Sequence, residues 1–245
     1  VEAGESLNSR LTQFLLADVL NDGGQWDMLV GVFRKHGAVP QEVMPQTVAS
    51  SNTEPKNAQL RLMLRRTALE MRKLDTREER RVLKNRVMHD VYRILVINLG
   101  VPPTRFDWQW RDKDGEFHRA GELTPVQFMN KYVDLNLDDY VCLVDDPRTA
   151  HPKNAPLTVS HLGNVVGAPE VKYLNVDVET MKSLAAKALN DGQPVWFGCD
   201  VDQHSDRKAG LLIRDLYDFA GMLGVDLTTT IEQRVLSGES LMTHA

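Results

Sequence analysis

The 245-residue chain is long enough to bury a sizeable core in one or two domains, and its 42% hydrophobic and 26% charged residues are an ordinary globular balance. No apolar run approaches the ~20 residues that cross a bilayer, and two cysteines, Cys142 and Cys199, set up neither a disulfide framework nor a zinc spacing. The net charge of −5 is spread unevenly, as the helical middle of the chain makes plain.

Residues 6–19 place Leu7, Leu11, Phe14 and Leu15 at helical spacing, which predicts one helix with a single buried stripe. Asn21-Asp22-Gly23-Gly24 breaks it. A second helix follows over 25–36, with Trp26, Leu29, Val30 and Phe33 facing inward. Gly37 to Pro40 ends that helix, Pro40 and Pro45 keep the next stretch extended, and 49–53 reads as a polar loop.

Two long helices are expected next. Residues 56–74 carry Leu60, Met63, Leu64, Met71 and Leu74 on one face. Thr76 caps the second helix in a capping box with Glu79, and Leu83, Val87, Val91, Ile94 and Leu95 continue it to about Asn98, before Gly100 and Pro102-Pro103. Between Lys56 and Arg93 twelve Lys/Arg face five Asp/Glu, a net +7, so the rest of the chain carries −12. Such segregation fits a solvated hairpin with internal ion pairs, or a basic surface toward an anionic partner or an oligomer channel. No aromatic interleaving for base stacking accompanies it, so binding to nucleic acid is the weaker form of that second reading.

Phe106 to Trp110 alternates apolar and polar, and Asp114-Gly115 is a hairpin signal before Phe117 and His118, so a two-stranded ribbon is expected. Thr124-Pro125 opens a short helix running to Tyr132. Residues 141–144 read as a buried strand, 147–156 as an irregular loop, 171–175 as a strand and 177–190 as a helix with Met181, Leu184, Ala185, Ala188 and Leu189 inward. The apolar run 195–201 is too short for a helix and is expected to be a central strand. A charged loop over 202–210, a helical turn over 215–219 and a short helix over 229–236 precede a last strand. Helices early and strands late, without strand–helix alternation, make the class α+β.

Few residues are suited to chemistry. His204 with Asp202 and Asp206 matches no standard metal spacing, so no metal and no cofactor are expected. Cys142 and Cys199 sit in apolar strand-like runs, where a thiol stays protonated and behaves as a small hydrophobe. The double glycine at 23–24, on its own sequence, reads first as a plain helix-to-helix turn. His244, one residue before the last, can exchange a proton near neutral pH and so activate a thiol or hydroxyl that it touches.

The string that holds it is more specific than the spacing. Gly238-Glu239-Ser240-Leu241-Met242-Thr243-His244-Ala245 closely resembles the catalytic-histidine segment of the bleomycin hydrolase/aminopeptidase C family, papain-like cysteine peptidases of the cytoplasm. RLTQFLLADVLNDGGQWDML over 10–29, RDKDGEF from Arg111, CLVDDPR from Cys142 and VWFGCDV over 195–201 resemble further signatures of that family, in family order.

The resemblance implies a partial papain-like α+β fold with a helical insertion subdomain. Residues 1–50 would form part of the helical half of the cleft, 51–156 a mainly helical insertion with a small β-ribbon, and 157–245 the barrel half ending at the catalytic histidine. It implies His244 as general base, and Gly23 and Gly24 as the turn whose backbone pairs with an extended peptide, the absent Cβ allowing close approach. Asp22 stands where Asn is commoner. The nucleophilic cysteine would lie upstream of Val1 and the orienting asparagine downstream of Ala245, which leaves the 245 residues inactive by themselves. Hexamers with active sites inside a central cavity are implied as well, with peptides as substrates and no membrane partner. Two readings of different class therefore stand: a cytoplasmic thiol aminopeptidase, and a basic, oligomerising binding protein whose peptidase chemistry is secondary or lost.

Overall fold

The computed structural model describes residues 5–20, 23–133, 135–200, 205–213 and 216–239, and the backbone of 243–244. The chain divides into two compact units, one of residues 1–135 with 164–169, the other of 136–163 with 170–245.

The first unit is built on a helical hairpin. Helix α1 (Arg10–Ala17) is capped by the Ser9 hydroxyl, which accepts from the Thr12 amide. α2 (Trp26–His36) is followed by Gly37, and α3 (Val48–Ser51) is a single turn. α4 (Glu54–Met71) and α5 (Arg77–Leu99) then pack antiparallel. Met71, Leu83 and Val87 form a buried cluster between them, with Met63, Leu74 and Val91 packed against it. Thr76 and Glu79 close the expected capping box at the start of α5, and Gly100 ends that helix. These are the residues that the periodicity selects, because a long amphipathic hairpin supplies its own partner surface.

The aromatic ribbon is also as expected. β1 (Phe106–Arg111) pairs antiparallel with β2 (Phe117–Leu123), with a bulge between Trp108 and Gln109. Asp112 fastens the turn by accepting from the amides of Asp114 and Glu116, each at 3.0 Å. Its other oxygen lies 2.7 Å from His118, whose imidazole holds the Asp112 carboxyl below the usual carboxylate range. α6 (Pro125–Tyr132), capped by Thr124 and Gln127, packs on the ribbon through Phe106, Trp108, Phe128 and Tyr132. Gly37 has φ 75°, and a Cβ there would run into the Pro125–Val126 peptide, so α2 meets α6 at a position only glycine fills.

The second unit centres on a three-stranded sheet in the order β3 (Leu143–Val144), β5 (Lys172–Asn175), β4 (Pro156–Thr158), with β3–β5 parallel and β4–β5 antiparallel. Val171, Asn175 and Val176 are buried at its middle. α7 (Val178–Asn190) follows, capped by Asp177. β6 (Gly198–Cys199) comes next, and β7 (Ser205–Asp206) forms a small hairpin with β8 (Leu211–Leu212). α8 (Phe219–Leu223) and α9 (Ile231–Ser237) lead to β9 (Thr243–His244), which pairs antiparallel with β6.

Several expectations are corrected. The first helix is shorter than 6–19, because Ser9 caps it at Arg10. Its stripe is not buried either: Phe14 is 73% exposed and Leu11 and Leu15 are open. The contact with α4 runs instead through the end of α1, where Arg65 donates to the carbonyls of Leu16 and Ala17 and Arg61 to that of Leu20. Guanidinium groups there satisfy orphan carbonyls and oppose the helix dipole. The polar loop at 49–53 is in part the single turn α3, capped by Thr47 with serine, not glutamate, at the third position. The strand at 141–144 is reduced to Leu143–Val144 with Val141 exposed, and 195–201 to Gly198–Cys199 with Trp196 and Phe197 exposed. The helical turn at 215–219 lies later, at α8, because the Asp218 carboxylate takes the Gly221 amide. α7 exposes Leu184 and Leu189. In α1, α7 and the stretches around β3 and β6 the apolar pattern marks a face that the described residues leave partly exposed.

Candidate functional site

His244 is placed by the backbone of β9, opposite Gly198 in register, with Thr243 opposite Cys199. The elements on either side of that ladder are tied together. Arg234 on α9 donates to Asp200, directly after β6, at 3.0 Å, with both side chains more than four-fifths buried. Thr230 and Gln233 cap α9 reciprocally, and Gly238 turns the chain at φ 79°. The Arg234 carbonyl then accepts from the Glu239 amide at 2.9 Å.

A polar cluster braces the other end of α9. Glu232 accepts from the Thr149 amide at 2.7 Å, fixing α9 to the 145–154 loop. Asn175, fully buried, organises that loop: its carbonyl oxygen accepts from the Asp146 amide and its amide nitrogen donates to the carbonyls of His151 and Pro152. Lys153 reaches Asp145, the Asp146 carbonyl and the Val176 carbonyl. The Asp146 carboxylate takes the Arg148 guanidinium through two nitrogens and lies 2.6 Å from His151 Nδ1. The Arg148 guanidinium, helped by His151, holds its carboxyl well below the usual carboxylate range. These bonds tie the 145–154 loop to Asn175, to Val176 and to α9, so the cluster builds a braced corner of the unit.

In the first unit, Gly23 and Gly24 lead into α2, whose first residues follow Gln25 in extended conformation. Among the described residues nothing lies within 4 Å of where a Gly24 Cβ would stand, and Gly24 does not adopt positive φ. Neither its own backbone conformation nor packing against those residues therefore requires glycine at 24. Asp22 lies outside the described residues, as do Asp202 and His204. Asp206 accepts from the Lys208 and Ala209 amides in an ordinary hairpin. Among the described residues no group of His, Cys, Asp and Glu is arranged to hold a metal. No helix among them is long and apolar enough to cross a membrane. Cys142 and Cys199 are half-buried and are not joined in a disulfide.

The hollow beside the hairpin, about 190 Å³ and lined by Leu16, Leu64, Met71, Val87 and Met88, is apolar and offers no set of convergent polar groups. The sequence reading missed the Arg234–Asp200 pair and the Asn175 cluster. Asp146, Arg148 and His151 are close enough in sequence to suggest a local turn, but no spacing links Asp200 to Arg234 or Asp146 to Asn175.

An α+β chain with a helical first unit and a second unit that presents a histidine on a short paired strand is the class these features define. The profile of the Peptidase C1-like family matches residues 1–245. Aminopeptidase C of Lactococcus lactis subsp. cremoris is 41% identical over 241 residues, 98% of this chain and 55% of the relative. Bleomycin hydrolase of Homo sapiens is 38% identical over 248 residues, 98% of this chain and 54% of the relative. A crystal structure of PepW from Lactobacillus rhamnosis superposes with a TM-score of 0.90 at 45% identity, over 99% of this chain and 55% of that one. The chain belongs to the Peptidase C1-like family, and its fold is papain-like α+β. It spans about half the length of the relatives it matches.

Proposed function

We propose that these residues are part of a cytoplasmic cysteine aminopeptidase that removes N-terminal residues from peptides. The observation that carries the reading is the 41% identity to an aminopeptidase C across 98% of the chain, beside a family profile that matches residues 1–245. Residues 1–50 and 157–245 supply parts of the two cleft walls, with 51–156 as the insertion between them. The nucleophilic cysteine and the orienting asparagine lie outside residues 1–245.

His244 takes the proton from that cysteine, and the thiolate adds to the peptide carbonyl carbon. The imidazolium returns the proton to the departing amine as the C–N bond breaks, which leaves a thioester. Water then adds to the thioester while His244 accepts its proton, and the thiol leaves with that proton. Gly23 and Gly24 pair with the substrate backbone. That role is supported by the open space that the described residues leave around Gly24. The working form is a homohexamer.

The test is His244→Ala in the protein of full length, assayed on an aminoacyl-coumarin. Turnover should fall about 10³-fold or more with the protein still folded. A variant retaining a tenth of the activity would remove His244 from the mechanism. The 245 residues alone should show no turnover.

A further inference from the structure

Among the described residues, the ladder that places His244 pairs Gly198 with His244 and Cys199 with Thr243. A two-stranded pairing is marginal by itself in water, and ties beside it help to fix its register.

The structure supplies one candidate on both sides of the ladder. Asp200 follows β6 directly, and Arg234 lies on α9, the last helix before β9. Their contact is 3.0 Å, with side chains 15% and 17% exposed. Arg234 Nε also faces the Glu239 carboxylate at 3.7 Å, and its carbonyl takes the Glu239 amide. One residue therefore holds the chain that leaves β6 and the chain that approaches β9. Glu232, two residues earlier on α9, pins the helix to the Asn175-organised loop through Thr149, so the anchor is itself held. A mostly buried ion pair suits this task. It adds little net stability over an apolar pair of the same shape, and fixing register is its best-attested use.

We propose that the Arg234–Asp200 pair is the positioning device for His244, with the Glu239 carboxylate as a second, more distant anion facing Arg234. Neither residue touches substrate. The pair acts by holding β9 in the register that keeps the imidazole at the thiol. The proposal rests on the reading of His244 as general base, and the experiment separates the two.

In the full-length protein, kcat, KM and the pH dependence of inactivation by iodoacetamide are measured for Arg234→Met, Asp200→Asn, the exchanged pair Arg234→Asp with Asp200→Arg, and His244→Ala. Misplacing a catalytic group by about 1 Å costs roughly 10²-fold. Arg234→Met and Asp200→Asn should lower kcat by about that factor with KM little changed. The acid limb of the inactivation profile should move to higher pH, because the thiolate loses its imidazolium partner. The exchanged pair should recover part of kcat.

A folded Arg234→Met or Asp200→Asn with native kcat overturns the proposal. So does a lowered kcat with an unmoved inactivation profile, since a merely structural loss would not alter the thiol's ionisation. If Arg234→Met does not fold, Asp200→Asn decides by the same readouts. An active His244→Ala overturns the reading of His244 and the positioning role with it. An inactive His244→Ala beside a fully active Arg234→Met overturns the positioning role alone.

Discussion

Two side chains test opposite ideas about what a residue is for. Gly24 stands where no atom of the described residues comes within 4 Å of a Cβ and where φ is not positive. Gly24→Val should therefore leave thermal stability almost unchanged while raising KM for peptides, because a branched Cβ enters the space a substrate backbone needs. Unchanged kinetics in the folded variant would make the turn an ordinary connection. Asp146 is the converse, a residue the fold uses fully. Its carboxyl is held well below the usual range, chiefly by Arg148, so in the folded state it stays ionised to lower pH than in the unfolded chain. The contribution is then complete above the unfolded value near 3.9 and is lost as pH falls through and below it. Asp146→Asn should melt lower than the native protein at pH 7, with the gap narrowing below about pH 4. A gap constant from pH 7 to about 3 would mean that the charge contributes nothing.

At the scale of elements, the parts that read well are those whose partner is next in sequence. The hairpin of α4 and α5 buries Met71, Leu83 and Val87 against itself, and the ribbon of β1 and β2 closes through its own turn, so pattern and burial agree. The cap at Thr76 belongs to this legible class. Thr76→Ala removes the hydroxyl that accepts from the Glu79 amide and should cost about 1 kcal/mol, read as a lower denaturant midpoint at unchanged slope. No change in midpoint would mean the Glu79 carboxylate suffices alone. The parts that read poorly depend on distant segments. Phe14 on α1, Leu189 on α7 and Phe197 before β6 look like core by spacing but are exposed, since periodicity names a face and not its cover. The site divides in the same way. The histidine segment and Gly23-Gly24 are read from their strings and not from any period. The tie from Arg234 to Asp200 spans 34 positions and leaves no periodic trace.

For the molecule as a whole, the charge imbalance of the hairpin is the feature with most to explain. Twelve cations face five anions between Lys56 and Arg93. The fold absorbs several of these cations. Arg61 and Arg65 close the end of α1, Arg80 donates to the Leu74 carbonyl, and Arg66, Arg81 and Arg93 pair with Glu70, Glu78 and Asp90. Those surface pairs contribute only a few tenths of a kcal/mol each. Lys73, Arg77 and Arg86 remain exposed with no ion pair among the described residues. Uncompensated like charges on one hairpin repel, and the proposed oligomer supplies a compensating surface or an enclosed cavity. Changing Lys73, Arg77 and Arg86 to Glu spares the cations that the fold already uses, so it separates assembly from folding. In the full-length protein the triple variant should keep its melting temperature and lose mass by light scattering, with the native assembly weakening in turn as salt is raised. An unchanged mass in the folded triple variant would make the hairpin a solvated surface and leave assembly to other parts of the chain.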